Sequence, residues 1–215
     1  MTIQRPGLPE DLPAPDVLWT RWALMAVVEA TTEAEEGAGY RTGTWIDDEG
    51  LHLDDSGCTW WSFSRFGEGR YVLYGEDESS GCKWYEPPVD MLAGGPDWLP
   101  HEELRDRLAG NELGCVYWYE NGAWARARYP EDLDDDGLDC GMSRFVERDK
   151  ARGLLDEYVG YGKPGREVLM EHAEGRRLTP ELLAEHVSSL EGGAPDLPAM
   201  TRALRRAGLD AQLQR

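Results

Sequence analysis

The stretch "DVLWTRWALMAVVEA" constrains this chain more than any other. Leu18, Trp22, Met25 and Val28 recur at spacings of 4, 3 and 3, which lays them on one face of a helix. Trp19, Ala23, Ala26 and Ala30 fill the neighbouring stripe. A helix apolar over so wide an arc has to be covered, and a sheet is the natural cover. The pattern predicts a helix from near Asp16 to about Glu36. Gly37 and Gly39 close it, and an extended lead-in with Pro6, Pro9, Pro13 and Pro15 precedes it.

The chain beyond this helix is strand-rich. "YRTGTWI" and "LHLDD" flank the turn "DDEG", and "CTWWSFSRF" and "RYVLYGED" flank "GEG", so each reads as a hairpin. "RYVLY" is apolar on both faces and is expected at the centre of the sheet. "GCKWYEPPVDML" reads as a short strand stopped by Pro87 and Pro88, and "LPHEELRDRLAG" as a short helix closed by Gly110. In "GCVYWYENGAWARARYP" the Asn121-Gly122 pair favours a type I′ turn between two aromatic strands.

Helices dominate the remainder: "MSRFVERDKARGLLDEYVGY", "GREVLMEHAEG", "LTPELLAEHVSSL" with Thr179 as N-cap and Pro180 at its first position, and "DLPAMTRALRRAGL" closed by Gly208. The expected fold class is α+β. An antiparallel sheet of about five or six strands is covered by the N-terminal helix, with a helical C-terminal section. The domain expectation is an acidic α+β domain over residues 1–160 and a helical extension over 161–215, packed on the same domain, with a hinge at "GYGKPG".

Charge is distributed unevenly. Of the net −20, residues 1–140 hold thirty acids and ten bases, while residues 141–215 hold twelve of each. The acidic part repels nucleic acid and anionic membrane surfaces and attracts basic proteins; simple solubility is the other use of such charge. No apolar run approaches the length of about 20 residues that spans a bilayer, and "MTIQRPGLPEDLPAPD" lacks the basic and apolar segments of a signal peptide. A cytoplasmic location is therefore expected. Nineteen arginines against three lysines and two asparagines point to a GC-rich, bacterial genome.

Motifs exclude more than they assign. Cys58, Cys82, Cys115 and Cys140 form no CxxC pair, so four ordinary thiols are expected. His52, His101, His172 and His186 make no zinc pattern; His52, beside Asp54, is the one candidate proton shuttle. Nucleophile elbow and phosphate-loop motifs are absent, and no cofactor is signalled. "DLDDDGLDC" begins like a calcium loop, with Asp132, Asp134 and Asp136 at positions 1, 3 and 5 and Gly137 at 6. Its second half departs, since Asp139 stands at position 8 and Ser143 at 12, so those three acids are weak metal candidates and a solvated turn is the plainer reading.

Trp60 and Trp61, adjacent in a strand, face opposite sides, and Trp118 and Trp124 straddle the Asn-Gly turn as candidates for one side of that hairpin. Interfaces favour such aromatic anchors; packing beneath the first helix is the alternative use. The functional expectation is a non-catalytic, inhibitory or immunity-type protein that engages a basic protein partner through Asp47, Asp48, Trp60, Trp61, Trp118 and Trp124. The alternative is a small carboxylate-dependent enzyme, with or without a divalent metal, using acids such as Asp54, Asp55 or Glu76.

Overall fold

The computed structural model describes residues 2–37, 40–67, 69–188 and 194–210. Gly39 and Glu68, both read as turn residues, lie outside them. Six strands form one antiparallel sheet in chain order: β1 (Gly43–Ile46), β2 (Leu51–Asp54), β3 (Trp60–Arg65), β4 (Tyr71–Glu76), β5 (Cys115–Glu120) and β6 (Ala123–Arg126). The N-terminal helix α1 (Pro15–Val28) packs on the sheet at β1. This is the expected α+β fold.

The chain divides into two compact units, Met1–Pro15 with His52–Ser143, and Asp16–Leu51 with Arg144–Arg215. The chain passes between units three times. The "GYGKPG" segment lies inside the second unit, where Gly160 and Gly162, both at positive φ, form a turn.

The first unit is built on β3 to β6. "RYVLY" is central, β4 pairing with β3 on one side and β5 on the other. Asn121 and Gly122 both adopt positive φ, 53° and 87°, as the tight hairpin turn between β5 and β6 requires. Trp61, Phe63, Leu73 and Tyr117, all almost fully buried, share one face through the register. The segment "GCKW", expected as a strand, is a 3-10 turn. The Ser80 hydroxyl accepts from the Cys82 N–H and starts it, and Pro87 and Pro88, which lack N–H donors, follow it. Helix α3 (His101–Ala109) buries Leu104 and accepts the Tyr74 hydroxyl on Glu103 at 2.9 Å.

In the second unit the predicted first helix is two. α1 ends at Val28, and α2 (Thr32–Glu36) starts anew because Thr31 leaves helical geometry and caps the Ala34 N–H. α1 is buried on almost every side: Leu18, Trp22, Ala23, Leu24 and Val27 have no exposure, and Trp22 stacks on Phe145 with centroids 4.9 Å apart. Likewise "MSRFVERDKARGLLDEYVGY" is three helices, α4 (Leu138–Val146), which belongs to this unit only from Arg144 on, α5 (Arg148–Leu154) and α6 (Asp156–Val159), with Glu147 extended between the first two. α7 (Gly165–Glu174), α8 (Pro180–His186) and α9 (Leu197–Ala207) complete the unit, with Thr179 capping α8 and Gly208 ending α9 in the left-handed region. Arg148 bonds both Glu167 and Glu174, and Arg152 bonds Glu167.

Candidate functional site

The acidic turn that resembled a calcium loop distributes its carboxylates over separate tasks. Asp136 is 1% exposed. Its Oδ1 accepts the Gly7 N–H at 2.9 Å and the Leu138 N–H, and its Oδ2 lies 2.7 Å from the Tyr117 hydroxyl. It thereby caps α4 and fastens the N-terminal segment. Burial, the leading effect, raises the Asp136 pKa against these hydrogen bonds. Asp135 and Asp139 pair with Arg5. Asp132 accepts the Tyr85 hydroxyl, and Asp134 is exposed. Among the described residues, Asp132, Asp134 and Asp136 do not bring ligand oxygens together within 4.8 Å.

The aromatic candidates are mostly structural. Trp61 and Trp118 are core residues, 1% and 5% exposed. Trp60, half-buried on the opposite face from Trp61, is covered by the Arg107 guanidinium at 4.6 Å and edges against Tyr74. Trp118 and Trp124 do not share a side of the hairpin: Trp118 pairs with Ala125 and Trp124 with Tyr119, so the register puts them on opposite faces. Trp124 donates its indole N–H to the Pro13 carbonyl at 2.7 Å. Asp47 and Asp48 belong to the other unit. Asp47 closes the β1–β2 turn by accepting from Glu49 and Gly50, and the Asp48 side chain is 97% exposed, 3.7 Å from Arg206.

The candidates for acid-base work sit in local hydrogen bonds too. Asp54 accepts the Ser56 N–H, Asp55 accepts from Gly57 and Thr59, and Glu76 pairs with Lys83. His52 lies 3.3 Å from the Ser62 hydroxyl. All four cysteines are unpaired. Cys58 is exposed, but a hydrogen bond to Glu78 and the charge of that carboxylate raise its pKa, which holds it as a thiol rather than a nucleophilic thiolate.

One exposed anchor is not marked by the sequence pattern. Trp84, at the end of the 3-10 turn, is 75% exposed. The turn is stitched to the acidic stretch by the Gly81 N–H on the Asp135 carbonyl at 2.9 Å and by Tyr85 on Asp132. Two segments about fifty residues apart in the chain thus form one surface. Glu78, Glu86, Asp132 and Asp134 are exposed on them, while the nearby cations Lys83 and Arg5 are already paired. The signal is present in "GCKWYEPP", but a strand assigned there gives Trp84 a neighbour to pack on. No protein-family model, curated protein or solved structure matches this chain.

Proposed function

We propose that the protein is a non-catalytic, cytoplasmic binding protein of the inhibitory or immunity type, and that its first unit docks a basic protein. The observation that carries this reading is the exposed Trp84 beside the acidic turn. An indole left in water on a surface that also exposes carboxylates combines an apolar anchor with a field that steers cations. Its unit holds 22 acids against 8 bases, a net −14, so the field extends over the whole unit. A partner that fits presents an apolar pocket rimmed by Lys and Arg, as a basic enzyme to be inhibited would.

The test uses the full chain as bait in native lysate at low salt, and then binding kinetics with the purified captured protein. The expected partner is basic, and its association slows as salt shortens the Debye length below about 8 Å. Glu78→Lys with Glu86→Lys slows association, whereas Trp84→Ala mainly speeds dissociation. Capture of an acidic or neutral protein, or kinetics indifferent to all three substitutions, would sink the reading.

A further inference from the structure

The second unit contains a cleft of about 430 Å³ that the acidic surface does not involve. Glu29 lies in its wall, just past the end of α1. The Glu29 carboxylate is held on three sides. Its Oε2 accepts the Thr44 N–H at 2.5 Å and the Thr44 hydroxyl at 2.7 Å, and the Tyr158 hydroxyl donates to it as well. Gly43, at φ 84°, permits this approach, since a Cβ there would stand 2.9 Å from Oε2. Burial, the largest effect, raises the Glu29 pKa; the Thr44 and Tyr158 hydrogen bonds oppose it, and the nearby Glu157 adds to it.

Arg41 lines the same cleft. Its guanidinium lies over the Trp45 ring at 5.3 Å, and burial lowers its pKa, with Glu35 and Asp47 opposing. Val28, Ala30, Pro195 and Met200 contribute apolar wall. Asp196, also in the lining, is occupied by the Thr32 and Ala199 N–H groups. A concave, mostly apolar space with a few fixed polar groups is the usual form of a small-molecule site. Glu33 also lines it but is exposed, whereas Glu29 and Arg41 are of opposite sign and both partly desolvated, so each gains from a counter-charge brought by a ligand.

We infer that this cleft binds a small zwitterion of the α-amino acid class, with its ammonium on Glu29 and its carboxylate on Arg41. The apolar wall accepts the side chain, and the cleft volume leaves room for a large one. An ammonium group placed on Glu29 favours its ionised form, so binding releases a proton from the carboxyl when the pH lies below its folded pKa.

The probe is a panel of the free α-amino acids, titrated calorimetrically into the full chain at mildly acidic pH in two buffers of different ionisation enthalpy. Controls are the matching primary amines without the carboxylate and carboxylic acids without the amine. At least one amino acid is expected to bind, with proton release, and to lose affinity on the order of 10- to 100-fold in Arg41→Met and in Glu29→Gln. Glu29→Gln keeps a hydrogen-bonding amide, its fold is checked by circular dichroism, and it abolishes the buffer dependence. No binding by any amino acid at millimolar concentration overturns the inference. So does an amine that binds as tightly as its amino acid, or binding that Glu29→Gln leaves unchanged. The basic-protein reading stands apart from these outcomes, because Glu29 and Arg41 belong to the other unit.

Discussion

The two units accommodate acids by different means. The first, with 22 acids and 8 bases, places many carboxylates on backbone N–H groups: Asp11 on Gln4 and Leu8, Asp55 on Gly57, Asp77 on Ser79, Asp136 on Gly7 and Leu138. The second has 20 acids and 14 bases and answers many of its acids with arginine, through Arg148 and Arg152 on Glu167, Arg166 on Asp156 and Arg202 on Glu35. A carboxylate capped by backbone shapes a turn but keeps its negative field. One paired with a guanidinium loses most of that field. With 8 bases to its 22 acids the first unit carries a net −14, and with 14 to 20 the second carries −6, so the first keeps the stronger negative field and the second cancels more of its own.

The packing side of the contrast predicts the largest effect. Trp22 has no exposure and stacks on Phe145. Trp22→Ala should cost about 3–5 kcal/mol, read as lost hydrogen-exchange protection in α1 and α4. A loss below about 1 kcal/mol, the usual size of a surface effect, would mean that α1 is not the core of its unit.

Next in size is the capping side. Asp136→Ala leaves the Gly7 and Leu138 N–H groups unpaired in the interior and should cost about 2–3 kcal/mol. Asp136→Asn behaves differently because of the proton inventory. The Tyr117 hydroxyl lies 2.7 Å from both the Gly7 carbonyl and Asp136 Oδ2, and it carries one proton. A protonated Asp136 supplies the second, in keeping with its raised pKa. The folded state then holds a proton that the unfolded state releases. That stabilisation is complete below the unfolded pKa of about 3.9 and is lost as pH rises through the higher folded value. Asparagine donates at every pH. The Asn variant should therefore gain on the wild type as pH rises, measured as thermal midpoints across the acidic range, and a constant difference would refute the shared proton. Glu29 titrates with the same sign in both proteins and cancels.

The ion pairs of the second unit should matter less. Arg148 is about a third exposed and lies between Glu167 and Glu174, which raise its pKa through hydrogen bonds. Arg148→Ala should cost roughly 1 kcal/mol, since partly exposed pairs are screened, with added salt shrinking the loss. A loss several times larger and insensitive to salt would make this network a packing element.

Legibility in the sequence followed the range of the interactions. The hairpin at Asn121-Gly122, the cap at Thr179 and the stop at Gly208 were readable because a turn or cap is decided within about four residues. The helix breaks at Thr31 and Glu147 were not, since an apolar period runs on across one or two residues that leave the helix. Trp118 and Trp124 were misplaced on one side because a face is set by the pairing register, and Trp118 faces Ala125. The surface at Trp84 is legible only in part: "GCKWYEPP" shows the indole, but the surface is completed when Gly81 and Tyr85 bond a stretch about fifty residues downstream. Glu29 was hidden inside an expected long helix, where an isolated acid reads as surface.

The smallest predicted effect bears on the surface charge itself. Glu78, Glu86 and Asp134 are exposed. If their purpose is to attract a partner, they add to the excess negative charge of their unit at some cost to the fold through repulsion. Neutralising them together, Glu78→Gln with Glu86→Gln and Asp134→Asn, should then raise the stability of the first unit by up to about 0.5 kcal/mol at low ionic strength. The gain should vanish near 1 M salt, where the Debye length falls to about 3 Å. The same number of neutralised acids among the paired ones of the second unit, Glu167, Asp156 and Glu35, should lower stability instead, because each takes an acceptor away from an arginine. Opposite signs for the two triple variants at low salt, read as thermal midpoints, would sharpen the contrast between a unit that keeps its field and one that cancels it. A loss in both would mean that the exposed carboxylates of the first unit are held in attractive pairs of their own, and the Trp84 surface would then lack the uncompensated charge that a basic partner needs.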